Sequence, residues 1–375
     1  MTTTESAAVE ALTFPALPAG LDTPRVVVDV ARVERNIARL QAEMDRRGIA
    51  LRPHTKTHKS ISIARLQLDA GARGITVGTL GEAEVFAAAG LSDIFVAYPV
   101  WADPAKGARV RALHDVVGSF SVGVDSVAGA EALGRAIAGA RRPLRVLVEI
   151  DPGLHRTGVG SPDAAIEVAL AAKSAGLQIA GVFSHGGHGY RPGGAAGAGA
   201  DEVRTLTAAA TALRFAGFDV PTISAGSTPT MLTAAAGSVT EMRAGTYAYG
   251  DRQQWALGAI PAEGCAVAVA ATVVSVADGR LVVDAGAKIL TKDVAPWLAG
   301  YGAIVGYADL VIERVNDYHG IVTVPPEAAA PVIGEVVAII PNHICPVIDL
   351  VDSVVAVAAD GSLAEWPVDA RGRSG

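Results

Sequence analysis

Short apolar segments alternate with alanine-rich segments of helical spacing up to about residue 250. This alternation is typical of parallel βαβ units, and eight such units close naturally into a (β/α)8 barrel of the TIM type. An open, doubly wound sheet is the alternative, but no Gly-x-Gly-x-x-Gly turn follows the first strand of the chain. The candidate barrel strands are 50–54, 74–77, 93–98, 119–124, 144–151, 179–185, 221–225 and 240–247. The candidate helices include 61–70, 81–89, 127–139, 163–175 and 200–216, and the Gly-rich run 193–199 is predicted to be a flexible loop.

The pattern changes near residue 250, where short strands with turn residues follow one another without a good helix between them. These strands are 265–276, 280–284, 321–324, 335–340 and 353–358. We therefore expect a C-terminal all-β domain at 251–375 after a barrel at 36–250. The β-branched strand at 25–30 precedes the barrel repeat, and we expect the segment 21–35 to join the β domain. Residues 1–20 are rich in Thr, Ala and Pro, which predicts a flexible N-terminal arm.

Composition narrows the classes of protein that the chain can belong to. Its 375 residues are 50% hydrophobic, which is enough for a large buried core, and its formal net charge is −7. A negative chain has no general attraction for nucleic acid or for an anionic membrane. Two cysteines, Cys265 and Cys345, make no disulfide framework and fit a reducing cytoplasm. With neither a signal peptide nor a bilayer-length apolar run, the sequence predicts a cytoplasmic protein.

A basic segment, 51–60, precedes the first predicted barrel helix. It packs five basic side chains into the eight positions from Arg52 to Lys59. Interpreted as one short strand, the segment places Arg52, His54 and Lys56 on one face. A solvated charged edge would explain this pattern. The alternative is that Lys56 points into a site as an amine that condenses with a carbonyl group.

Polar and ionisable residues gather at the C-terminal ends of the predicted strands, where barrel enzymes place their chemistry. They are Lys56 and the runs 149–156, 184–190, 224–230 and 243–247. The run Gly226-Ser227-Thr228-Pro229-Thr230 offers small residues and hydroxyl groups that suit a phosphate dianion, although a Ser/Thr-Pro helix start gives the same letters. Opposite a strand-borne lysine, it indicates a phosphorylated carbonyl cofactor, with pyridoxal phosphate the leading candidate.

The β domain contains a second candidate site motif, Pro341-Asn342-His343-Ile344-Cys345-Pro346. In an extended segment His343 and Cys345 face the same side, where imidazole and thiolate can share a metal such as zinc. A buried cysteine beside a hydrogen-bonded histidine is the alternative interpretation. Two protein ligands are too few for a structural zinc site, so a metal here would keep positions open for water or substrate.

The chain resembles the D-threonine aldolase and D-serine dehydratase group, whose members share the alanine-racemase-like fold of pyridoxal phosphate enzymes. The motifs that carry this resemblance are Asp22-Thr23-Pro24, Arg52-Pro53-His54-Thr55-Lys56-Thr57-His58-Lys59, Gly81-Glu82-Ala83-Glu84, His155-Arg156-Thr157-Gly158-Val159, Gly226-Ser227-Thr228-Pro229-Thr230, Arg243-Ala244-Gly245-Thr246-Tyr247, Asp284-Ala285-Gly286, His319-Gly320 and Pro341-Asn342-His343-Ile344-Cys345-Pro346. The pair Pro-His-x-Lys-x-His-Lys and Pro-Asn-His-x-Cys is specific to the group.

The resemblance implies a role for each residue that matches the group's motifs. Lys56 would hold pyridoxal phosphate covalently, and a divalent metal (Mn, Mg or Zn) would be bound by His343 and Cys345. Some aldolases have Asp at the position of Cys345, whereas dehydratases have Cys. His188, in the loop after the sixth strand, is predicted to be the base that takes a proton from the substrate hydroxyl, because a neutral imidazole suits this task. A loop histidine with no catalytic role is the alternative interpretation. The complete implied cofactor-binding set is Lys56, Arg156 (phenolic oxygen), His185, Tyr190, Arg243 (pyridine nitrogen), and, for the phosphate, Ser227, Thr228, Gly245 and Thr246.

The resemblance also implies an activity and a partner. The runs Ile94–Pro99 and Gly250–Gln254 favour a D-threonine aldolase, which cleaves D-3-hydroxy amino acids to glycine and an aldehyde. Alternatives are a D-serine dehydratase, which makes pyruvate and ammonia, another D-3-hydroxy-amino-acid dehydratase, a racemase, or a non-catalytic pyridoxal phosphate carrier. Such carriers lack a β domain. Fold relatives that have one build their active site across a homodimer, so a homodimer is expected here.

Overall fold

The computed structural model describes residues 12–375, which form two compact units. The barrel unit comprises 39–56, 61–245 and 372–375, and the β unit comprises the described residues up to Ala38, 57–60 and 246–371. The helices and strands are β1 (Arg25–Asp29), α1 (Val30–Arg47), β2 (Ala50–Leu51), α2 (Ile61–Asp69), β3 (Ile75–Val77), α3 (Leu80–Ala88), β4 (Asp93–Pro99), α4 (Pro104–Val116), β5 (Ser119–Val124), α5 (Val127–Ala136), β6 (Arg145–Glu149), α6 (Pro162–Ser174), β7 (Gln178–Phe183), α7 (Ala195–Phe215), β8 (Thr222–Ala225), β9 (Glu241–Met242), α8 (Arg252–Ala256), β10 (Val267–Ala277), β11 (Arg280–Val283), α9 (Ala287–Leu290), β12 (Ala303–Ile304), β13 (Val311–Val315), β14 (Gly320–Thr323), β15 (Val336–Ile340), α10 (Ile344–Asp349), β16 (Ser353–Val357) and β17 (Leu363–Pro367).

The barrel unit is built on eight parallel strands. Their order is β2-β9-β8-β7-β6-β5-β4-β3, and a parallel bridge between His54 and Thr76 joins the two ends of the sheet. The predicted (β/α)8 barrel is therefore confirmed. Strand interiors meet inside it, where the rings of Phe95 and Phe183 pack edge to face with centroids 5.1 Å apart.

Side-chain caps determine where several barrel helices begin. The N-cap residue of each accepts a hydrogen bond from a first-turn amide, which satisfies a donor that the helix itself leaves unpaired. These N-caps are Thr79 for α3, Asp103 for α4, Ser126 for α5 and Ser161 for α6. Helix α4 was missed from the sequence, although Asp103 followed by Pro104 is a start signal for a helix.

The Gly-rich run was predicted to be a flexible loop, and this was wrong from Ala195 onward. Helix α7 begins there, because the alanines between the glycines favour helix. Gly199 serves close packing, since a Cβ at this position would lie 2.2 Å from Thr233 Oγ1.

The β unit contains a sheet in the order β13-β14-β11-β10-β1-β16-β17, with β15 also paired to β10 and β12. Strand β1 lies antiparallel to β10 and parallel to β16, so the first strand of the chain belongs to this sheet. The predicted C-terminal β domain is confirmed, although it includes the short helices α8, α9 and α10. Strands β12, β13 and β17 were missed because they are short or carry charged, exposed side chains.

The predicted N-terminal arm falls partly outside the described residues, which begin at Leu12. Leu12 is buried, and Arg32 donates to Thr13 O at 2.8 Å while its guanidinium lies over the Phe14 ring. Residues 12–14 therefore pack within the β unit, because two apolar side chains give this part of the arm a surface to bury. No helix among the described residues is long and apolar enough to cross a bilayer.

Candidate active site

Lys56 lies just beyond the first barrel strand, at the C-terminal end of the sheet. Pairing with β9 continues to His54, whose amide donates to Ala244 O at 3.1 Å. The hydroxyl of Thr55 then donates to Thr76 O at 3.1 Å, and the chain leaves the sheet in a 3₁₀ turn, Thr55–Thr57. The prediction that 51–60 is one strand was therefore wrong. At Thr55 a side-chain hydrogen bond replaces the backbone pairing of the sheet, and the strand ends. Strand alternation does not set the direction of Lys56.

Three cations surround the imidazole of His185 at this end of the barrel. Burial lowers the pKa of His185 well below its usual value, and the charges of Lys56, Arg156 and Arg243 lower it further. His185 is consequently neutral at physiological pH. The structure thus brings together four residues predicted from different strand ends, and their excess of positive charge suits an anionic ligand.

Arg243 is held inside the barrel by neutral acceptors and aromatic faces. Its guanidinium donates to Ser224 Oγ at 2.6 Å and to the carbonyl oxygen of Ser184. The same group lies 5.3 Å from the Phe183 ring centroid and 5.9 Å from that of Phe95, within the range of a cation–π attraction. Burial lowers the pKa of Arg243, and Glu241 is the largest influence that opposes this shift.

A layer of buried charge lies beneath Arg243. Arg52 Nε pairs with Glu241 Oε2 at 2.8 Å, and its other nitrogens pair with Asp93 at 2.7 and 3.2 Å. Ser224 Oγ donates to the remaining oxygen of Glu241 at 2.7 Å. Burial alone would raise the pKa of Glu241, but Arg52 outweighs burial and lowers it. Arg52 therefore has a structural partner set of its own and is not part of a solvated edge.

The turn after β8 is closed by hydrogen bonds among its own residues. Gly226 has φ +96°, and a Cβ there would lie 2.0 Å from Met242 Sδ, so only glycine fits. The Ser227 amide donates to Thr230 Oγ1 at 3.0 Å, and the Ser227 hydroxyl lies 3.0 Å from the same oxygen. Ser227 and Thr228 are both buried, in agreement with a dry binding site.

Glu202 of α7 supports this turn from behind and was missed from the sequence. Its Oε1 accepts from the Gly226 amide at 2.9 Å and from Ser184 Oγ at 3.0 Å. Its Oε2 accepts from Thr230 Oγ1 at 2.7 Å. The carboxylate thus joins the ends of β7 and β8. It lies in an ordinary amphipathic helix, so no local signal in the sequence marks it.

Glu149, at the end of β6, is a second carboxyl group that the sequence did not single out. Thr157 Oγ1 donates to its Oε1 at 2.9 Å, whereas no described residue donates to Oε2. Burial raises the pKa of Glu149 to about 7, and Asp125 raises it while Thr157 and Arg156 oppose the shift. Thr157 follows Arg156 directly, so Glu149 fixes the backbone that presents this arginine.

The loop after β7 carries the two remaining barrel candidates. His188 lies in the 3₁₀ turn Gly187–Gly189, with Nε2 3.3 Å from Asp201 Oδ2. Its other nitrogen is buried and accepts or donates no hydrogen bond among the described residues. The Tyr190 ring centroid is 6.3 Å from that of His185, so Tyr190 borders the cationic cluster.

The β unit brings His343 and Cys345 together. The prediction that both residues lie in one extended segment was wrong. Helix α10 begins at Ile344, and only His343, its N-cap, is extended. The Cys345 side chain nevertheless lies close to the imidazole. Burial would lower the pKa of His343, but Cys345, Asp251 and Asp293 raise it to about 10.

Two threonine hydroxyls lie close to the Cys345 sulfur within the same unit. Thr57 Oγ1 is 3.3 Å from Cys345 Sγ, and Thr246 Oγ1 is 3.9 Å from it. Thr57 follows Lys56 in the chain, and Thr246 follows Gly245. Thr246 thus belongs to the β unit, whereas Gly245 ends the barrel unit.

Asp251 fixes the start of α10 and was missed because it lies far from Cys345 in sequence. Its Oδ2 accepts from the Ile344 amide at 3.1 Å, and its Oδ1 caps α8 through the Gln254 amide at 2.8 Å. Lys59, which the motif placed near the cofactor lysine, instead pairs with Asp349 at the end of α10 at 2.8 Å. Both ends of α10 are therefore anchored.

The residues present fit both groups that the motifs imply. The barrel end supplies an amine, an excess of positive charge and a hydroxyl-lined turn with room only for glycine, which suit a phosphorylated carbonyl compound. In the β unit, His343 and Cys345 supply an imidazole and a thiol, which as a thiolate are the ligand types of a divalent cation such as zinc. No cluster of three His, Cys, Asp or Glu ligands occurs among residues 12–375, so such a cation would keep open positions.

Comparisons with known proteins extend over nearly the whole chain. Residues 28–253 match the alanine racemase N-terminal domain, and residues 266–357 match the serine dehydratase domain. The chain is 37% identical to D-threo-3-hydroxyaspartate dehydratase of Delftia sp. (strain HT23), over 92% of this chain and 97% of that protein. It is 36% identical to D-threonine aldolase of Arthrobacter sp., over 97% of both. The solved structure of the Delftia dehydratase has a TM-score of 0.85, with 35% identity over 93% of this chain and 97% of that one. A cysteine-to-alanine mutant of the dehydratase has been solved in a metal-free form.

Proposed function

The chain belongs to the D-threonine aldolase and D-serine dehydratase family of the alanine racemase fold, and from this membership we propose that it is a pyridoxal phosphate-dependent lyase of D-3-hydroxy amino acids. One observation carries the proposal most directly. Lys56 leaves the C-terminal end of the barrel sheet in a 3₁₀ turn, and its charge acts on the buried His185 together with those of Arg156 and Arg243, which suits an anionic carbonyl cofactor.

Each candidate cofactor-binding residue has a defined role in this proposal. Lys56 supplies the amine that holds the cofactor, and Ser227, Thr228, Gly245 and Thr246 hold its phosphate. Arg156 and Arg243 orient the ring through its oxygen and nitrogen, with Arg243 fixed by Ser224. When bound, pyridoxal phosphate supplies an electron sink for bond cleavage at the substrate α-carbon.

His343 and Cys345 are proposed to bind a divalent metal, Mn, Mg or Zn. Such a metal supplies Lewis acidity toward a hydroxyl group. Chelation is expected to abolish turnover and to leave the absorption of the bound cofactor largely unchanged. Full activity of His343→Ala would contradict this role.

We propose retro-aldol cleavage to glycine and an aldehyde as the reaction, with dehydration as the second candidate. Cys345 favours the second candidate, because dehydratases of the family have cysteine where some aldolases have aspartate. In cleavage the β-hydroxyl loses its proton, whereas in dehydration it leaves the carbon skeleton and Lys56 takes the α-proton. The two reactions therefore differ in the fate of one oxygen atom.

The deciding experiment is incubation of the purified enzyme with D-threonine, D-serine and D-threo-3-hydroxyaspartate. Glycine with an aldehyde identifies an aldolase, and a 2-oxo acid with ammonia identifies a dehydratase. Lys56→Ala should lose the cofactor absorption and both activities, while Lys173→Ala, at an exposed position of α6, should keep them. Cofactor trapped by borohydride on a lysine other than Lys56 would overturn the assignment.

His188 is proposed as the base that takes the β-hydroxyl proton, because a neutral imidazole nitrogen can accept a proton. His188→Asn should still bind D-threonine but cleave it about a hundredfold more slowly. Dehydration of D-serine should suffer less, since Lys56 takes the proton there. Equal losses in both reactions would indicate that His188 has only a structural role, through its contact with Asp201.

A further inference from the structure

We propose that Asp293 is a positioning residue of the metal centre, which holds the His343 imidazole so that Nε2 is presented to a divalent cation. This inference rests on the proposed metal-binding part of His343 and Cys345. Asp293 Oδ2 lies 2.5 Å from His343 Nδ1. The two residues are 50 positions apart in the chain, so this contact belongs to the folded β unit and not to a local turn.

The local backbone of Asp293 is built to hold it in place. Helix α9 ends at Leu290, and Thr291 follows with φ +68°, a conformation that is rare for a β-branched residue. Thr291 is nevertheless buried, and its hydroxyl accepts from the Asp293 amide at 3.1 Å. Strain of this kind persists only where the surrounding structure fixes it, and it concentrates at functional sites.

The chemistry follows from the two nitrogens of imidazole. A neutral imidazole has one N–H donor and one lone pair, and the partner of one nitrogen decides which of them is free for a metal. A carboxylate at Nδ1 accepts the N–H bond there, so Nε2 retains the lone pair. The Cys345 sulfur lies 3.3 Å from Thr57 Oγ1, so both candidate ligands have partners within the β unit before a cation arrives. Carboxylate partners of this type usually contribute about 10–100-fold in metal affinity.

Two alternative roles of Asp293 lead to different expected effects of its removal. The side chains of Asp293 and His343 are 47% and 32% exposed. If their contact is only a solvent-exposed ion pair, the loss of Asp293 should change the metal affinity little. Direct ligation by Asp293 would make its loss as severe as the loss of His343. If Asp293 positions His343, its removal should reduce the metal affinity by an amount between these two limits.

The test is the dissociation constant for Zn²⁺, measured on the cofactor-loaded, full-length protein by competition with a chromophoric chelator. Asp293→Ala should bind Zn²⁺ about 10–100-fold more weakly than the unmodified protein. Asp293→Asn should lose less, because its amide oxygen can still accept from Nδ1–H. Asp278→Ala, in the exposed turn between β10 and β11, is the matched control and should not change the affinity.

The visible spectrum of the Co²⁺-substituted protein provides a second readout. It should keep its thiolate band in Asp293→Ala, since Cys345 stays in place, and lose it in Cys345→Ala. Unchanged Zn²⁺ affinity in Asp293→Ala would overturn the inference, and so would a loss equal to that of His343→Ala. If the unmodified protein binds no divalent metal, the proposed metal site itself fails, which is a distinct result.

Discussion

Glu149 is the residue whose protonation state depends most directly on the fold. It is 3% exposed, and burial raises its pKa to about 7. The folded protein therefore binds a proton at Glu149 in a pH range where the unfolded chain has already released it. Stability from this group is fully present below the unfolded pKa, near 4.5, and is lost as the pH rises to about 7.

Glu149→Gln should remove this dependence while keeping the shape of the side chain. The free energy of unfolding of the variant, relative to the unmodified protein, should rise by on the order of 3 kcal/mol between about pH 5 and about pH 8. Urea denaturation of both proteins at several pH values, with equal cofactor content, measures this difference. Parallel pH profiles would show that Glu149 titrates normally.

Glu202 leads to a prediction about cofactor selectivity. Its loss would leave the Gly226 amide and the Thr230 hydroxyl without their buried acceptor, and the Ser227 turn would loosen. Glu202→Ala should therefore reduce the preference for pyridoxal phosphate over pyridoxal by about tenfold. Glu202→Gln should have a smaller effect, and Glu167→Gln, on the exposed face of α6, should have none. Equal weakening toward both ligands would indicate a general packing defect.

The residues that could be predicted from the sequence are those whose chemistry is displayed in a motif. Lys56, Arg243, Ser227 and the pair His343 and Cys345 stand out by type and spacing, and the structure groups them at the barrel end and at α10. Their supporting carboxylates could not be predicted this way. Glu202, Asp251 and Asp293 lie 24, 93 and 50 positions from the groups that they hold, and only the fold brings them close.

At the scale of elements, the turn after β8 is tightly constrained. Gly226→Ala places a Cβ 2.0 Å from Met242 Sδ in a backbone of φ +96°. The φ strain alone costs on the order of 1–3 kcal/mol, so the variant should have a lower Tm and bind pyridoxal phosphate more weakly.

The matched control for this prediction is Gly197→Ala. Gly197 lies in α7, a Cβ added there would meet no other atom within 4 Å, and alanine at this position favours helix by up to about 1 kcal/mol. Gly226→Ala together with Met242→Ala should recover only the steric part of the loss. A Tm of Gly226→Ala equal to that of the unmodified protein would contradict the constraint.

Elements were predictable where periodicity and end signals agree. Helix α1 buries Val33, Ile37, Leu40 and Met44, which recur at helical spacing in the sequence. The prediction failed at 51–60 and at 343–345, where turns are stabilised by side-chain hydrogen bonds between residues far apart in the sequence. Thr55 and Asp251 supply these bonds, and a local pattern contains no information about such partners.

At the scale of the whole molecule, we propose a homodimer, as the resemblance to the family implies. Sedimentation equilibrium should give about twice the 38.1 kDa of one chain. Specific activity should fall on dilution below the dissociation constant of the dimer, because family members with a β domain complete their active site across two chains. A monomer with full activity at all concentrations would refute this assembly.

The pairing of β1 with β16 affects how the protein folds during synthesis. Val27 lies beside Val355, so its neighbour leaves the ribosome about 330 residues later. At roughly 5–20 residues per second this delay is about 15 to 65 seconds. Throughout that time at least one edge of the run Val26–Val28, which is fully buried in the finished sheet, lacks its partner strand and is prone to aggregate. We therefore expect the yield of native protein during synthesis to depend on a chaperone that covers the emerging N-terminal segment.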